Sequence, residues 1–262
     1  MNSFAATLRV EFLKVFRSRM PLFTALGFAV LPLIGGFMMF ILKDPELARR
    51  VGLISVKAQI LAGTADWPGY LSFLAEMTTV GGLMLFGLVG AWVFGREYSD
   101  RTIKDLLALP TPRATIVMTK FIVIALWSLA LTVLNLNIGL AVGSAIGLPD
   151  PAAGTIWQGM GNLALSAILT IVVVMPIVFF ASAGRGYLLP IGIMLLCIIL
   201  SQVASFAGWG DDFPWAIPAL FAQAAAKHSG YLGVASYAIV FFTGAAGIAG
   251  TFLWWEMADE TH

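Results

Sequence analysis

The chain has 262 residues, of which 60% are hydrophobic and 11% are charged, and its mean hydropathy is +0.92. Soluble domains carry roughly 25% charged residues, so this composition excludes a soluble enzyme and predicts a protein of the lipid bilayer. The 15 basic and 14 acidic residues give no basic excess, which argues against nucleic acid as a partner. The single cysteine, Cys197, lies in an apolar run, so we expect neither an intrachain disulfide nor a cysteine-based metal site.

The first segment, residues 2–17, has the pattern of an amphipathic helix. Its apolar side chains recur at intervals of three or four residues: Phe4, Leu8, Phe12, Val15 and Phe16. Basic residues flank this stripe: Arg9, Lys14, Arg17 and Arg19. Such a helix is expected to lie in the membrane interface rather than to cross the bilayer. No short apolar stretch here ends in a small-residue cleavage site, so a secretory signal peptide is not predicted.

Six apolar runs are long enough to cross a membrane as helices, because about 20 helical residues span the hydrocarbon core of about 30 Å. They cover residues 20–42, 78–95, 116–146, 160–183, 187–207 and 231–255. The predicted fold is therefore an all-α membrane protein, with a single transmembrane domain over residues 1–262. The third run exceeds the required length, which predicts a tilted or projecting helix.

The basic residues of the connecting segments predict the orientation of these spans. Ten Lys and Arg lie on one side of a six-span topology, in the N-terminal segment, in residues 96–120 and at Arg185. Five lie on the other side, and four of these belong to the 43–70 loop, which weakens the bias. We expect both termini in the cytoplasm. Residues 47–60 of that loop also have the pattern of a short amphipathic helix on the outer leaflet.

The charge of the chain is concentrated between the second and third runs. Residues 94–120 contain five basic and three acidic residues: Arg96, Arg101, Lys104, Arg113, Lys120, Glu97, Asp100 and Asp105. Good helix formers over 97–109 predict a helix with one apolar side, which Pro110 and Pro112 end. Loops between spans are often charged because they contact water, and this remains the alternative. A helix held between two spans would instead transmit movement from a docked protein to both spans.

Four features of this segment resemble the ABC-2 type membrane subunits of ATP-binding cassette transporters. They are Glu97, the run Arg-Thr-Ile-Lys-Asp-Leu-Leu at 101–107, the run Pro-Thr-Pro-Arg at 110–113, and Lys120. In that family the subunit has six spans, an interfacial N-terminal helix and a coupling helix between spans two and three that docks on a separate ATPase. The resemblance implies an ATPase-coupling role for Glu97, Arg101, Thr102, Lys104, Leu106, Leu107 and Arg113. At Arg101 this chain departs from the common pattern, because many members have a glycine before the threonine.

The resemblance implies an exporter of the bacterial or archaeal cell membrane that pairs with two copies of an ATPase and with a second permease chain, identical or related. The sequence contains no Gly-x-x-x-x-Gly-Lys-Ser/Thr phosphate loop. We therefore expect the partner subunit to bind ATP and Mg²⁺, and this chain to bind no cofactor. The expected cargo is hydrophobic or amphipathic, such as a drug, an antibiotic or a peptide.

Side chains of the second and fifth runs are candidates for the cargo pathway, because the family resemblance places these spans along the cavity of the dimer. The candidates, with Asn135 of the third run added, are Met84, Phe86, Asn135, Gln202 and Phe206. Ordinary packing or lipid contact is the alternative for the apolar members. Asn135, Gly139, Gly143 and Gly147 recur every four residues, which predicts a surface that packs closely against another helix.

Three further classes of protein are weighed against an exporter. An intramembrane hydrolase would need a nucleophile next to a base, but the two histidines, His228 and His262, lie outside the runs, so we expect no catalytic or metal site. A stand-alone secondary carrier would need an ionisable group in midmembrane, and no predicted span has one at its centre. A non-transporting membrane subunit for binding or immunity stays open as a further alternative.

Overall fold

The computed structural model describes residues 3–44, 65–108, 110–151, 153–227 and 232–257, and these form helices without a strand. The helices are α1 (Ser3–Phe16), α2 (Met20–Lys43), α3 (Trp67–Ser99), α4 (Ile103–Leu107), α5 (Arg113–Ala145), α6 (Thr155–Ala183), α7 (Leu188–Ala207), α8 (Ile217–Lys227) and α9 (Val234–Met257). A 3₁₀ turn, Gly210–Asp212, precedes α8. The prediction of an all-α protein is confirmed.

Six of these helices, α2, α3, α5, α6, α7 and α9, are long and apolar enough to cross a membrane, as predicted. Both α3 and α5 have 33 residues, which makes them about 50 Å long at 1.5 Å per residue. A hydrocarbon core of about 30 Å is shorter than either helix, so both helices tilt or project beyond it. The excess length of α5 was predicted, whereas that of α3 was not.

The predicted start of the second span at residue 78 is wrong, because α3 already begins at Trp67. Asp66 caps this end, since its carboxylate accepts a hydrogen bond of 2.8 Å from the backbone N–H of Gly69. Pro68 occupies the first turn, where its missing N–H costs nothing. The added turns include Glu76, which hydropathy alone had placed at the end of the span.

The helix α8 covers this part of α3, although residues 208–230 were expected to be an outer loop. Its side chains Ile217, Phe221 and Ala222 are buried, and it packs against α3 and α6. The amide of Gln223 donates a hydrogen bond of 2.8 Å to the carboxylate of Glu76. Burial by α8 and this bond together explain how a polar stretch of α3 remains helical. The loop helix expected over residues 47–60 lies outside the described residues.

The single coupling helix predicted over 97–109 is also wrong, because the structure divides this segment. The second span continues to Ser99, the chain turns through residues 100–102, and the short helix α4 follows. Arg101 has φ of 58°, which is incompatible with a continuing right-handed helix. Leu109, the last residue of the predicted helix, lies outside the described residues.

The glycine stripe of α5 packs against α3, as predicted. Added Cβ atoms would lie 2.6 Å from Leu74 at Gly139 and 2.7 Å from Trp67 at Gly143, so the two helices touch where a side chain is missing. Close approach through small residues is a common way for membrane helices to associate. The fourth member, Gly147, follows the end of α5 in a turn with φ of 64°. There the Lys43 ammonium donates to the carbonyls of Ile146 and Gly147 and caps the helix.

The middle of the apolar stripe of α1 packs against the helical bundle, whereas its end members, Phe4 and Phe16, are exposed. Val15 is 4% exposed, and Leu8 and Phe12 pack partly buried against the main apolar core. This core joins α2, α3, α5, α6 and α9, and it includes the large buried side chains Phe28, Phe86, Phe94 and Trp255. The N-terminal helix is therefore fixed to the bundle along the middle of its apolar stripe.

Candidate functional site: a buried charge cluster

Four charged side chains from three helices meet at one end of the bundle. Glu11 and Lys14 lie one turn apart on α1, Glu97 lies in the last turn of α3, and Lys120 lies near the start of α5. The Lys120 ammonium is 2.7 Å from Glu97 Oε1 and 3.1 Å from Glu11 Oε2. The Lys14 ammonium is 2.8 Å from Glu97 Oε1 and 2.8 Å from Glu11 Oε1. We call these four residues the charge cluster.

The charge cluster is withdrawn from solvent yet balanced in charge. Glu11 and Glu97 are each 3% exposed, and Lys120 is completely buried. Isolated charges in such surroundings are very costly, but two carboxylates and two ammonium groups neutralise each other here. Lys120 also donates a hydrogen bond of 3.1 Å to the carbonyl of Val93, and its ammonium lies 5.8 Å from the ring centroid of Phe94. Three oxygen atoms and one aromatic ring therefore surround this ammonium group.

Lys14 is the most accessible member of the charge cluster. Its burial alone would lower the pKa of the ammonium, but the adjacent carboxylates of Glu11 and Glu97 raise that pKa above its ordinary value of 10.5. A raised pKa means that the stabilising charge is fully present at neutral pH and is lost only when the pH rises through the pKa of the folded state. The pairs of Lys14 are therefore intact under physiological conditions.

The charge cluster holds the connection between α3 and α5 in place. The Thr102 hydroxyl donates a hydrogen bond of 2.7 Å to Glu97 Oε2, while its backbone N–H donates one of 2.9 Å to the Glu97 carbonyl oxygen. Between them, Arg101 adopts the left-handed conformation, with φ of 58°. A non-glycine residue in this conformation costs about 1–2 kcal/mol. The turn geometry is thus retained without the residue that adopts it most easily.

Beyond this turn, α4 presents a charged surface and an apolar one. Ile103 and Leu106 are partly buried and pack against the main core. Lys104 and Asp105 are exposed, as are Arg101 and Thr102 of the preceding turn. We call these four residues the α4 surface. It is a small, mixed-charge patch that lies directly above the charge cluster.

The structure separates the predicted coupling residues into three groups. The α4 surface contains Arg101, Thr102 and Lys104, and Leu106 packs α4 against the main core. Glu97 lies beneath the surface in the charge cluster, where a docked protein would not reach its side chain. Arg113 donates hydrogen bonds of 3.2 and 3.1 Å to the carbonyls of Trp255 and Glu256 and so caps α9. Leu107, the remaining predicted residue, ends α4.

The sequence did not lead us to expect Glu11 and Lys14 in a functional site, although the position of Glu11 on α1 indicated a buried charge. Glu11 is the only carboxylate of α1, and it falls between Leu8 and Val15 on the stripe that packs against the bundle. An acidic residue on the buried side of a helix requires a basic partner from another element. Lys120, placed by sequence at the start of the third span, is that partner.

The cargo candidates are divided between the core and the surface. Phe86 is fully buried and stacks on Phe28 at a centroid distance of 5.1 Å. Asn135 is also fully buried, and its amide donates a hydrogen bond of 2.7 Å to the Thr78 hydroxyl. These two side chains therefore have packing roles in this conformation, the alternative stated for Phe86 and the role predicted for Asn135 as a member of the glycine stripe.

The other three candidates remain accessible. Met84 is 50% exposed and Phe206 is 90% exposed. Gln202 lines a small cavity between α3, α6, α7 and α8, together with Thr79, Ser201 and Trp215. The cavity has an apolar wall with a few hydroxyl and amide groups, so it suits a small amphipathic group. It lies near the end of the bundle opposite the charge cluster.

Comparison with known proteins identifies the family. Residues 7–201, which include the whole charge cluster and the α4 surface, match the family model described as ABC-2 family transporter protein. The chain is also similar to the bacitracin transport permease protein BCRB of Bacillus licheniformis, with 26% identity over 186 residues, or 68% of this chain and 85% of that protein. With its six membrane-spanning helices, this multi-pass membrane protein belongs to the ABC-2 family of transporters.

Proposed function

We propose that the chain is the membrane subunit of an ATP-driven exporter and that a separate ATPase powers it. Family membership supports a permease role, and the sequence lacks the phosphate loop with which a chain would bind ATP itself. The observation that carries the proposal is the placement of the α4 surface on top of the charge cluster. A protein that docks on this surface contacts a segment hydrogen-bonded to Glu97 of α3, and Glu97 is paired in turn with Lys14 of α1 and Lys120 of α5.

The proposed transmission begins where the ATPase contacts Arg101, Lys104 and Asp105. Closure of the ATPases displaces α4 and its preceding turn. Thr102 is hydrogen-bonded to Glu97, and Glu97 is paired with Lys14 and Lys120, so the displacement reaches α1, α3 and α5 together. Hydrogen bonds to buried charges are short and strong in surroundings of low polarity. The charge cluster therefore moves as one unit.

The proposed orientation places the charge cluster and the α4 surface in the cytoplasm. This end of the bundle, which we call the basic end, carries ten of the fifteen Lys and Arg residues. Basic residues are enriched on the cytoplasmic side of membrane proteins. An ATPase that uses cytoplasmic ATP then meets the α4 surface, and both termini lie in the cytoplasm.

The proposed cargo is a hydrophobic or amphipathic molecule, with peptide antibiotics of the bacitracin type as the first class to test. This choice is supported by the name of the relative from Bacillus licheniformis, a bacitracin transport permease. Exposed Met84 and Phe206 offer apolar contacts, and Gln202 offers an amide beside the cavity. Two permease chains with two ATPase copies would place such side chains of both chains around a shared path.

The test combines this chain with a candidate ATPase in inverted membrane vesicles. A fluorescent bacitracin derivative is added to the medium outside the vesicles. The proposal predicts uptake that needs ATP and stops when the phosphate-loop lysine of the ATPase is replaced. A binding or immunity subunit would retain the peptide without transporting it. A secondary carrier would transport it with the ATPase absent. Either of these two outcomes would contradict the proposal.

A further inference from the structure

The side of α1 that faces away from the bundle combines apolar and basic residues. Val10, Leu13 and Phe16 are 50%, 43% and 65% exposed, and Arg9 and Arg17 are exposed beside them. Helical intervals bring these five positions onto one side of the helix. We call them the outer face of α1. The opposite side of the helix carries Leu8, Phe12, Val15 and Glu11, which pack against the bundle.

The outer face of α1 lies where the first span enters the bilayer. Glu11 of α1 pairs with Lys120, while Phe16 contacts the ring of Trp127 edge to face at a centroid distance of 6.2 Å. Lys120 and Trp127 are two turns apart on α5. The C-terminal end of α1, at Phe16, therefore lies further along α5 into the membrane than Glu11 does. Phe16 is thus the deeper end of the outer face. Arg17 and the exposed Arg19 follow in the short turn between α1 and α2.

The charges of this region are all positive. Arg9, Arg17 and Arg19 are exposed, and within the described part of the chain no carboxylate forms an ion pair with them. Glu11, the acidic residue of α1, points into the charge cluster and does not neutralise this side. A guanidinium group binds phosphate oxygens through two parallel hydrogen bonds. The region therefore offers three anion-binding groups around an apolar surface.

We propose that the outer face of α1, together with Arg19, binds the headgroups of anionic phospholipids in the leaflet at the basic end. Phe16, Leu13 and Val10 enter the boundary between headgroups and acyl chains, and the guanidinium groups pair with the phosphates. A protein partner would leave unexplained why apolar side chains and arginines alternate at the level where a span begins. Lipid supplies both kinds of contact at that level.

The experiment measures which lipid lies next to α1. The full-length protein carries a fluorophore on Leu13→Cys, in a Cys197→Ser background that removes its single, buried cysteine. It is reconstituted in phosphatidylcholine bilayers that contain equal amounts of spin-labelled phosphatidylglycerol or spin-labelled phosphatidylcholine. We expect stronger quenching by phosphatidylglycerol. Arg9→Gln or Arg17→Gln should lower this preference by up to about fivefold each at low salt.

Matched measurements make the result specific. Lys227→Gln removes one positive charge from α8, at the opposite end of the bundle, and should leave the preference unchanged. High salt should weaken the preference, because screening shortens the reach of the charges. A fluorophore placed instead on Val10→Cys should also be quenched more strongly by phosphatidylglycerol than by phosphatidylcholine. Equal quenching by the two lipids, a preference insensitive to both arginine substitutions, or absence of quenching because protein covers the face would each overturn the proposal.

Discussion

Lys120 shows how a lysine side chain is accommodated inside an apolar bundle. Its ammonium has two carboxylates and one backbone carbonyl within 3.1 Å, and its side chain is fully buried. Removing one partner of a buried ion pair is costly because the other charge stays behind without compensation. The contacts of Lys120 therefore stabilise the junction of α1, α3 and α5 only while all four charges are present.

Lys120→Met is expected to destabilise the protein by about 3–5 kcal/mol, because Glu11 and Glu97 keep only Lys14 as a partner. The measurement is the free energy of unfolding in detergent. Lys104→Met is the matched control, since it removes an exposed lysine from α4 and should change that free energy by no more than about 0.5 kcal/mol. Equal effects of the two substitutions would contradict a buried, interdependent cluster.

Thr102→Val is expected to reduce the amount of cargo moved per ATP while changing stability by about 1 kcal/mol or less. The substitution removes the hydroxyl that joins the α4 surface to Glu97 and retains the shape of the side chain. ATP hydrolysis and transport are measured together in the reconstituted complex. Thr7→Val serves as the control, because the Thr7 hydroxyl bonds only to the backbone of its own helix at Ser3. Wild-type coupling in the Thr102 variant would exclude this bond from transmission.

At the scale of helices, α6 and α9 cross at a point that leaves no room for a side chain. A Cβ added at Gly247 of α9 would lie against the backbone of Met175 and Pro176 in α6, at 2.7 Å from the Met175 carbonyl carbon. Backbone cannot move aside as a flexible side chain can. Pro176 also lacks the N–H that would bond to the preceding turn, so this part of α6 already departs from regular helix geometry.

Gly247→Ala is expected to lower the free energy of unfolding by about 1–3 kcal/mol, although alanine is the better helix former. The comparison is with Gly192→Ala in α7, where no described atom lies within 4 Å of the added Cβ. Gly192→Ala should be neutral or stabilising by up to about 1 kcal/mol. Thermal unfolding of both purified variants provides the measurement. A neutral Gly247→Ala would show that the helices cross at a greater distance.

Most of the helices could be predicted from the sequence, since apolar length alone identifies a membrane span. The first eleven residues of α3 escaped prediction because their polar groups are satisfied by α8 and by a cap, which depend on the folded structure. The helix α8 itself has 11 residues, too few to signal a span. Residues 97–109 contain no glycine or proline that would indicate the break at Arg101, so a continuous helix was predicted there. The partners of Glu97 depended on the position of α1, which hydropathy does not provide.

At the scale of the whole molecule, the basic end unites four features. It contains the charge cluster, the α4 surface, the outer face of α1 and the cap that Arg113 places on α9. The opposite end contains α8, the cavity beside Gln202 and the Lys43 cap. In the proposed mechanism, energy input at the basic end and cargo release at the opposite end require that the long helices connect the two ends. Of these, α3 contacts α2, α5, α6, α7 and α8 and is central to the bundle.

Charge reversal on the α4 surface is expected to disrupt docking without unfolding the chain. Arg101→Glu or Lys104→Glu changes an exposed residue, so the purified permease should keep its elution profile and thermal stability. Each variant should retain less of the ATPase than the wild type in co-purification, and this difference should be smaller at high salt, because screening weakens the charge contacts. Arg185→Glu is the control at the same end, because it reverses an exposed charge outside α4. Full retention of the ATPase by both α4 variants would place docking elsewhere.

The most direct test counts cargo molecules moved per ATP hydrolysed in proteoliposomes that contain this chain and the proposed ATPase partner. We expect the wild-type complex to transport a bacitracin-type peptide only during ATP hydrolysis. The Glu97→Gln complex, in which the charge cluster loses one carboxylate, should continue to hydrolyse ATP while moving several-fold fewer peptides per ATP. Unchanged transport per ATP in that complex, or transport by this chain with no ATPase present, would contradict a membrane subunit driven through the charge cluster.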